Sequence, residues 1–271
     1  MRFKFNNFFL IAEAGINHNG NLKKAFKLVD SAKNSGASAI KFQTYITEKR
    51  VKKNNPAFNI LKKCELSFKD FERLKKYCDR KKILFFSTPF DTESVNFLNN
   101  INVKLFKVSS FDISNFELID SIVSTKKPMI VSTGMASLKE IKKINSYLNK
   151  KKIKHYLLHC ISSYPNKEEN SYLKNIQYLK NNFNCEIGLS DHTNDIKTCL
   201  YARLLGANIF EKHFKLSEND NCIDSPVSIT PKKMRSLSDE LKKIPKILGE
   251  IKFGIRENEK SAKIFKRNKI L

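Results

Sequence analysis

The sequence predicts an α/β chain folded as a closed parallel (β/α)8 TIM barrel, on three observations. Eight short runs rich in Ile, Val and Phe recur along the 271 residues, each followed by a segment with helical periodicity. No break in composition, low-complexity tract or internal linker separates them, so they read as one domain. The turn after the first run, GINHNG at 15–20, lacks the G-x-G-x-x-G expected of an open doubly wound nucleotide-binding sheet, the runner-up architecture.

In order, the strands are FFLIAE (8–13), AIKFQ (39–43), ILFFS (83–87), KLFKVS (104–109), PMIVS (128–132), HYLLHC (155–160), EIGLS (186–190) and NIFEKH (208–213). The first helix is read over 21–37, where Leu22, Ala25, Phe26, Val29 and Ala32 recur on one face. Ser67 with Asp70, and Ser137 with Glu140, have capping spacing and start two further helices. Pro231, suited to a first helical turn, opens a last helix over 231–248.

Bulk composition narrows the function classes. A net charge of +24 invites a nucleic-acid partner, because clustered basic side chains neutralise phosphates. Yet only 8 of the 51 basic residues are Arg, the preferred base reader, and the lysines are spread along the whole chain. With Asn, Ile and Phe abundant and Trp absent, codon bias accounts for the charge, and no nucleic-acid partner is expected. The six cysteines (64, 78, 160, 185, 199, 222) form no CxxC and read as reduced thiols of a cytoplasmic protein. The N-terminal apolar run before Glu13 is too short for export, and no stretch reaches membrane-spanning length, so no membrane association is expected.

A barrel of this kind places its chemistry where strands end and the loops to helices begin. Here those ends read AEAGINH, KFQTY, STPF, KVSSFD, VSTGM, HCISSYP, GLSDHT and EKHF. A lone lysine or serine there is ordinarily a snorkelling stem or a turn cap. Eight polar ends together predict an active site. Within IFEKHF (209–214), alternation puts Glu211 and His213 on one face and Lys212 on the other. A lone imidazole is usually satisfied by a backbone carbonyl, but His192 and His213 end adjacent strands with Glu211 and Asp224 nearby. That pairing points to a divalent metal, Mn2+ or Mg2+, completed by water. Lys41 and Lys107 for charge, with Thr88, Ser110, Ser132 and Ser190 for hydrogen bonds, suit a small anionic substrate.

The segments IAEAGINHNG, GASAIKFQTY, FFSTPF, FKVSSFDISN, PMIVSTGMAS, LLHCISSYP, IGLSDHT and GANIFEKHF, in this order across most of 8–216, resemble the sialic acid synthase family. Its enzymes condense phosphoenolpyruvate with an N-acetylated amino sugar. The resemblance implies a C–C bond-forming transferase that makes a nine-carbon 2-keto sugar acid from N-acetylmannosamine or a 6-deoxy diacetamido hexose, releasing phosphate. It makes His192 and His213 metal ligands, and Lys41, Thr88, Lys107, Ser110, Ser132 and Ser190 contacts to phosphoenolpyruvate. It places Glu13, Gln43, Tyr164, Glu211, Asp224 and Phe265 where the sugar is handled or the site ordered, with Glu13 or Glu211 managing the proton. Ser162 stands where the family commonly has Asn, implying a shortened or water-bridged contact to phosphoenolpyruvate.

The resemblance also implies a homodimer in which a C-terminal antifreeze-like domain lends an Arg to the partner's sugar site. The expected layout is a catalytic barrel over 1–250 and a linker segment over 251–271, without that domain, and hence weak and permissive use of the sugar. VSSFD and IDSPVS lean toward pseudaminic acid synthases, whereas AEAGINH and STPF lean toward N-acetylneuraminate synthases. Two rival readings are condensation of phosphoenolpyruvate with a different aldose, and a catalytically weak binding subunit.

Overall fold

In the computed structural model, which describes residues 8–267, the first strand β1 (Phe9–Gly15) is buried at every position, with side chains alternating between two cores. It pairs in parallel with β2 (Ala39–Thr44) on one side and with β8 (Ile209–His213) on the other. Between these run β3 (Leu84–Pro89), β4 (Phe106–Val108), β5 (Met129–Ser132), β6 (His155–Cys160) and β7 (Glu186–Asp191). The eight strands close in sequence order, as the sequence predicts.

Alternation along each strand builds the molecule in two layers. One face of the strands packs against the helices, through residues such as Leu10, Ile40, Phe42, Phe85, Val108 and Phe210. The other face fills the lumen, where Phe9, Ile11, Ala39, Phe86, Leu105, Ile130, Tyr156, Leu158 and Ile209 form an apolar plug. Two residues further along their strands, the lumen positions turn polar. Ile11 is followed by Glu13, Ala39 by Lys41, Leu105 by Lys107, Ile130 by Ser132 and Ile209 by Glu211. Registers Glu13↔Lys41, Glu13↔His213 and Ser190↔Glu211 bring these groups level. Gly188 lies under this polar layer. A Cβ there would come within 2.3 Å of Ile209 O and 2.6 Å of Leu158 Cδ2, so only glycine lets β7 and β8 approach.

The helices obey their capping signals. In α1 (Leu22–Asn34), Asn21 Oδ1 accepts from Lys24 N at the start, and the chain leaves the helix three residues earlier than its periodicity predicts, turning at Gly36 with φ +81°. The β2–β3 connection holds α2 (Thr47–Arg50), α3 (Phe58–Cys64) and α4 (Phe68–Lys81). Ser67 caps α4, and Ser137 and Glu140 form the full capping box of α7 (Leu138–Lys150). The others are α5 (Thr92–Asn100), α6 (Phe116–Ser124), α8 (Lys174–Asn182), α9 (Lys197–Leu204) and α10 (Pro231–Leu248). Strand β4 is shorter than the 104–109 expected, because Ser109 already turns into the single 3-10 turn Ser110–Asp112. After α10 the chain runs exposed through a 3-10 segment, Glu257–Phe265.

Candidate active site at the strand ends

The polar ends of the strands enclose a cavity of about 260 Å³. It is lined by thirteen of the residues expected from sequence: Glu13, Lys41, Gln43, Thr88, Lys107, Ser110, Ser132, Tyr164, Ser190, His192, Glu211, His213 and Asp224. Strand ends and loops from all around the barrel supply them, so only barrel closure brings them together.

Two lysines and two glutamates form its floor. Lys41 Nζ lies 2.7 Å from Glu13 Oε2 and 3.8 Å from Glu211 Oε2, and donates to Thr88 Oγ1 at 3.0 Å. Lys107 Nζ donates to Ser132 Oγ at 2.7 Å and to Val108 O at 3.0 Å, with Glu211 Oε1 4.0 Å away. Ser190 donates to Glu211 Oε1 at 3.0 Å, and Ser110 Oγ accepts the Gly134 amide at 3.0 Å. All four charged groups are buried. Burial lifts the Glu13 carboxyl above its ordinary range, more than the neighbouring Lys41 lowers it. Glu211 is held below its ordinary range, because Lys107 and Lys41 together outweigh its burial. Lys41 is stabilised as the cation by Glu13 and Glu211 despite burial, whereas burial and the nearby Lys41 push Lys107 down. Two carboxylates side by side thus differ in how readily they hold a proton.

The imidazoles stand at the wall. Their ring centroids are 5.4 Å apart, and the Tyr164 ring lies 4.0 Å from that of His192. His192 Nδ1 is 2.7 Å from Ile161 O. Only a protonated nitrogen donates to a carbonyl, so this contact leaves Nε2 as a lone-pair donor. His213 Nδ1 sits 3.3 Å from Asp224 Oδ2 without hydrogen-bond geometry, and is one of the few buried nitrogens with no such partner. Burial favours the neutral ring, but Asp224 outweighs it and raises the pKa of His213. Among the described residues no group of three or more His, Cys, Asp or Glu is gathered as a metal cage. What the residues fit is a two-imidazole site, open for water or substrate oxygens.

Two expected site residues are not brought in. The Phe265 ring is 79% exposed in the C-terminal 3-10 segment and does not line the cavity, so it does not close the pocket within this chain. Ser162 also lies off the cavity. Its hydroxyl is buried without a hydrogen-bond partner, and a Cβ on Gly134 would come within 2.4 Å of it. The loop after β6 turns this side chain toward the β5 loop rather than the lumen.

Six lining residues went unforeseen: Ile16, Arg50, Phe90, Ser109, Phe111 and Cys160. Five of these lie within the strand-end strings themselves, where position was the signal. Arg50 lies farther on, at the end of α2, and its signal was rarity: an Arg in a chain that otherwise spends Lys.

Comparison with known proteins agrees with this geometry. The NeuB family model matches residues 28–253. N,N'-diacetyllegionaminic acid synthase of Campylobacter jejuni is 36% identical over 269 residues, covering 93% of this chain and 80% of the relative. Pseudaminic acid synthase of the same species is 31% identical, covering 96% and 80%. The crystal structure of N-acetylneuraminic acid (sialic acid) synthetase from Leptospira borgpetersenii superposes with a TM-score of 0.90 at 40% identity, over 96% of this chain and 91% of that one. A truncated 3-deoxy-D-arabino-heptulosonate 7-phosphate synthase of Thermotoga maritima, 14% identical with a TM-score of 0.71, shares the fold. With the matched segments spanning most of the barrel and its polar strand ends, the chain belongs to the NeuB family and is one of its enzymes.

Proposed function

We propose that this enzyme condenses phosphoenolpyruvate with the open-chain form of an N-acylated amino sugar, giving a nine-carbon 2-keto acid and inorganic phosphate. The observation that carries the reading is the buried floor, where two lysines and four hydroxyls converge beside two carboxylates of unlike proton affinity. Family membership, and relatives named as legionaminic and pseudaminic acid synthases, support it.

Lys41 and Lys107 take the carboxylate and phosphate of phosphoenolpyruvate, with Thr88, Ser110, Ser132 and Ser190 completing the hydrogen bonds. That grip holds the enol carbon toward the sugar aldehyde in a near-attack geometry. As the new C–C bond forms, positive charge develops at the carbon bearing the phosphate. The ionised Glu211, under both lysines, takes the proton of a water adding to that carbon. Glu13, the carboxyl that holds its proton more readily, supplies the proton to the aldehyde oxygen. Phosphate then leaves by C–O cleavage. A divalent ion on His192 and His213, Mn2+ or Mg2+, would supply Lewis-acid polarisation of the aldehyde oxygen. The barrel accounts for the chemistry without a nucleic-acid or membrane partner, and we place it in the cytoplasm.

The test is phosphate release from phosphoenolpyruvate with Mn2+ and N-acetylmannosamine or a diacetamido hexose, with the product identified by mass. His192→Ala and His213→Ala are expected to lose Mn2+ binding, read by electron paramagnetic resonance, and turnover, while keeping the melting midpoint. Full activity after chelation would remove the metal from the reading. No phosphate release with any N-acylated amino sugar would overturn the condensation itself.

A further inference from the structure

Arg50 lines the same cavity and has no role assigned above. It closes the four-residue α2, and its Cζ sits 3.6 Å from the ring centroid of Phe90 and 4.7 Å from that of Tyr45. One N–H donates to Gln43 Oε1 at 3.0 Å. The seat is rigid, because Tyr45 is buried with its hydroxyl on Leu61 O at 2.9 Å, and the Phe90 amide donates to Thr44 O at 3.1 Å. Among the described residues no carboxylate comes within ion-pair distance of it. A guanidinium carries five N–H donors in a planar fork. Partly withdrawing it from water against two rings and one amide oxygen carries a cost that a ligand taking the remaining donors would offset. Stacking on aromatic faces and fork-like donation are also what Arg offers over Lys, and this chain contains 43 Lys against 8 Arg.

We propose that Arg50 is the specificity-determining residue for the acceptor, donating to the carbonyl oxygen of its acylamino group. The assignment rests on the condensation reading above. A neutral acylamino group is favoured over a second phosphate because the seat is mixed in character, with aromatic rings against the guanidinium and N–H donors at its edge. The ring of Phe90 against the guanidinium, with Phe111 lining the same cavity, suits the acyl methyl.

The test compares wild type with Arg50→Leu and Arg50→Lys by calorimetric binding and steady-state kinetics. Substrates are phosphoenolpyruvate, N-acetylmannosamine, the same sugar without its acyl group, and its 6-phosphate. Arg50→Leu is expected to weaken the acylated sugar by about 10- to 150-fold, the loss of one charged hydrogen bond, with phosphoenolpyruvate binding unchanged. It should also erase the preference for the acylated over the deacylated sugar. Arg50→Lys, which keeps a cation against the rings, is expected to fold normally and recover only part of the affinity. Unchanged sugar affinity in Arg50→Leu overturns the assignment, as does equal weakening of both substrates. A wild-type preference for the 6-phosphate that disappears in Arg50→Leu overturns the acyl oxygen as its ligand. If wild type binds the acylated sugar through Arg50 but releases no phosphate, the condensation reading falls and Arg50 stands as a sugar-binding residue. If wild type binds no acylated sugar, both fall.

Discussion

His18 shows how a single buried side chain writes a pH dependence into the molecule. It is buried in the loop after β1, where its Nδ1 accepts the Gly20 amide at 3.1 Å and its Nε2 has no hydrogen-bond partner. Burial, with the charge of Lys24 nearby, pushes its pKa down to about 4. The unfolded chain takes a proton on this residue near pH 6.5, as an unperturbed imidazole does, so between those values it binds more protons than the folded one. Stability contributed by the neutral ring is therefore complete above about pH 6.5 and falls on acidification, by about 3 kcal/mol at full loss. Burial lowers His155 and His159 too, and they act in the same direction. His18→Gln is expected to flatten the fall in urea midpoint between pH 6.5 and 4. An unchanged slope would show that His18 is already solvated in the native state.

At the scale of elements, the buried pair between β7 and β8 decides how the two histidine-bearing strand ends sit. Lys212 is fully buried, and its Nζ lies 3.0 Å from Asp191 Oδ2 and also donates to Thr193 O. Thr193 and Thr198 complete the carboxylate shell, and Lys212 holds Asp191 below the ordinary carboxylate range against the pull of burial. Asp191 precedes His192 and Lys212 precedes His213, so alternation turns this ion pair toward the helices as the imidazoles turn inward. Removing one member strands a buried charge. Lys212→Met is expected to cost about 3–5 kcal/mol, lowering the melting midpoint by roughly 6–20 °C. Replacing Asp191 by Leu as well should recover most of the loss. A single variant that melts with wild type would show that the pair contributes no net stability.

At the scale of the whole molecule, the charge of +24 is carried by lysines scattered over the surface, many paired locally, as Lys76 is with Glu72 and Lys243 with Glu240. Among the described residues no helix is long and apolar enough to cross a membrane. Such a surface attracts any polyanion through counterion release but reads no sequence. Duplex DNA is expected to bind only in the range of about 1–100 µM at physiological salt, with affinity falling steeply as salt rises. A sequence-selective complex at nanomolar concentration, measured by fluorescence anisotropy, would contradict this.

The residues of the sequence determined the eight strands, their order and the polar character of their ends, because these depend on local periodicity. A strand buried on both faces must be apolar, so Glu13, Lys41, Lys107 and Glu211 inside such runs mark a site by their residue type alone. Alternation also separated Glu211 and His213 from Lys212. The partner of Lys212 was not legible, since Asp191 lies 21 residues away and meets it only through the register of β7 against β8. Tertiary structure likewise removed Ser162 and Phe265 from the cavity, because a loop's side-chain direction follows from its contacts and not from its distance to a strand. It brought Arg50 in for the same reason: its guanidinium, at the end of a short helix, rests on the Tyr45 and Phe90 rings and so lines the cavity. The unequal proton affinities of Glu13 and Glu211 are the clearest case. Both are glutamates at strand ends, and only their tertiary neighbours tell them apart: Glu211 has two lysines and the Ser190 hydroxyl beside it, whereas Glu13 has Lys41 and the repelling charge of Glu211.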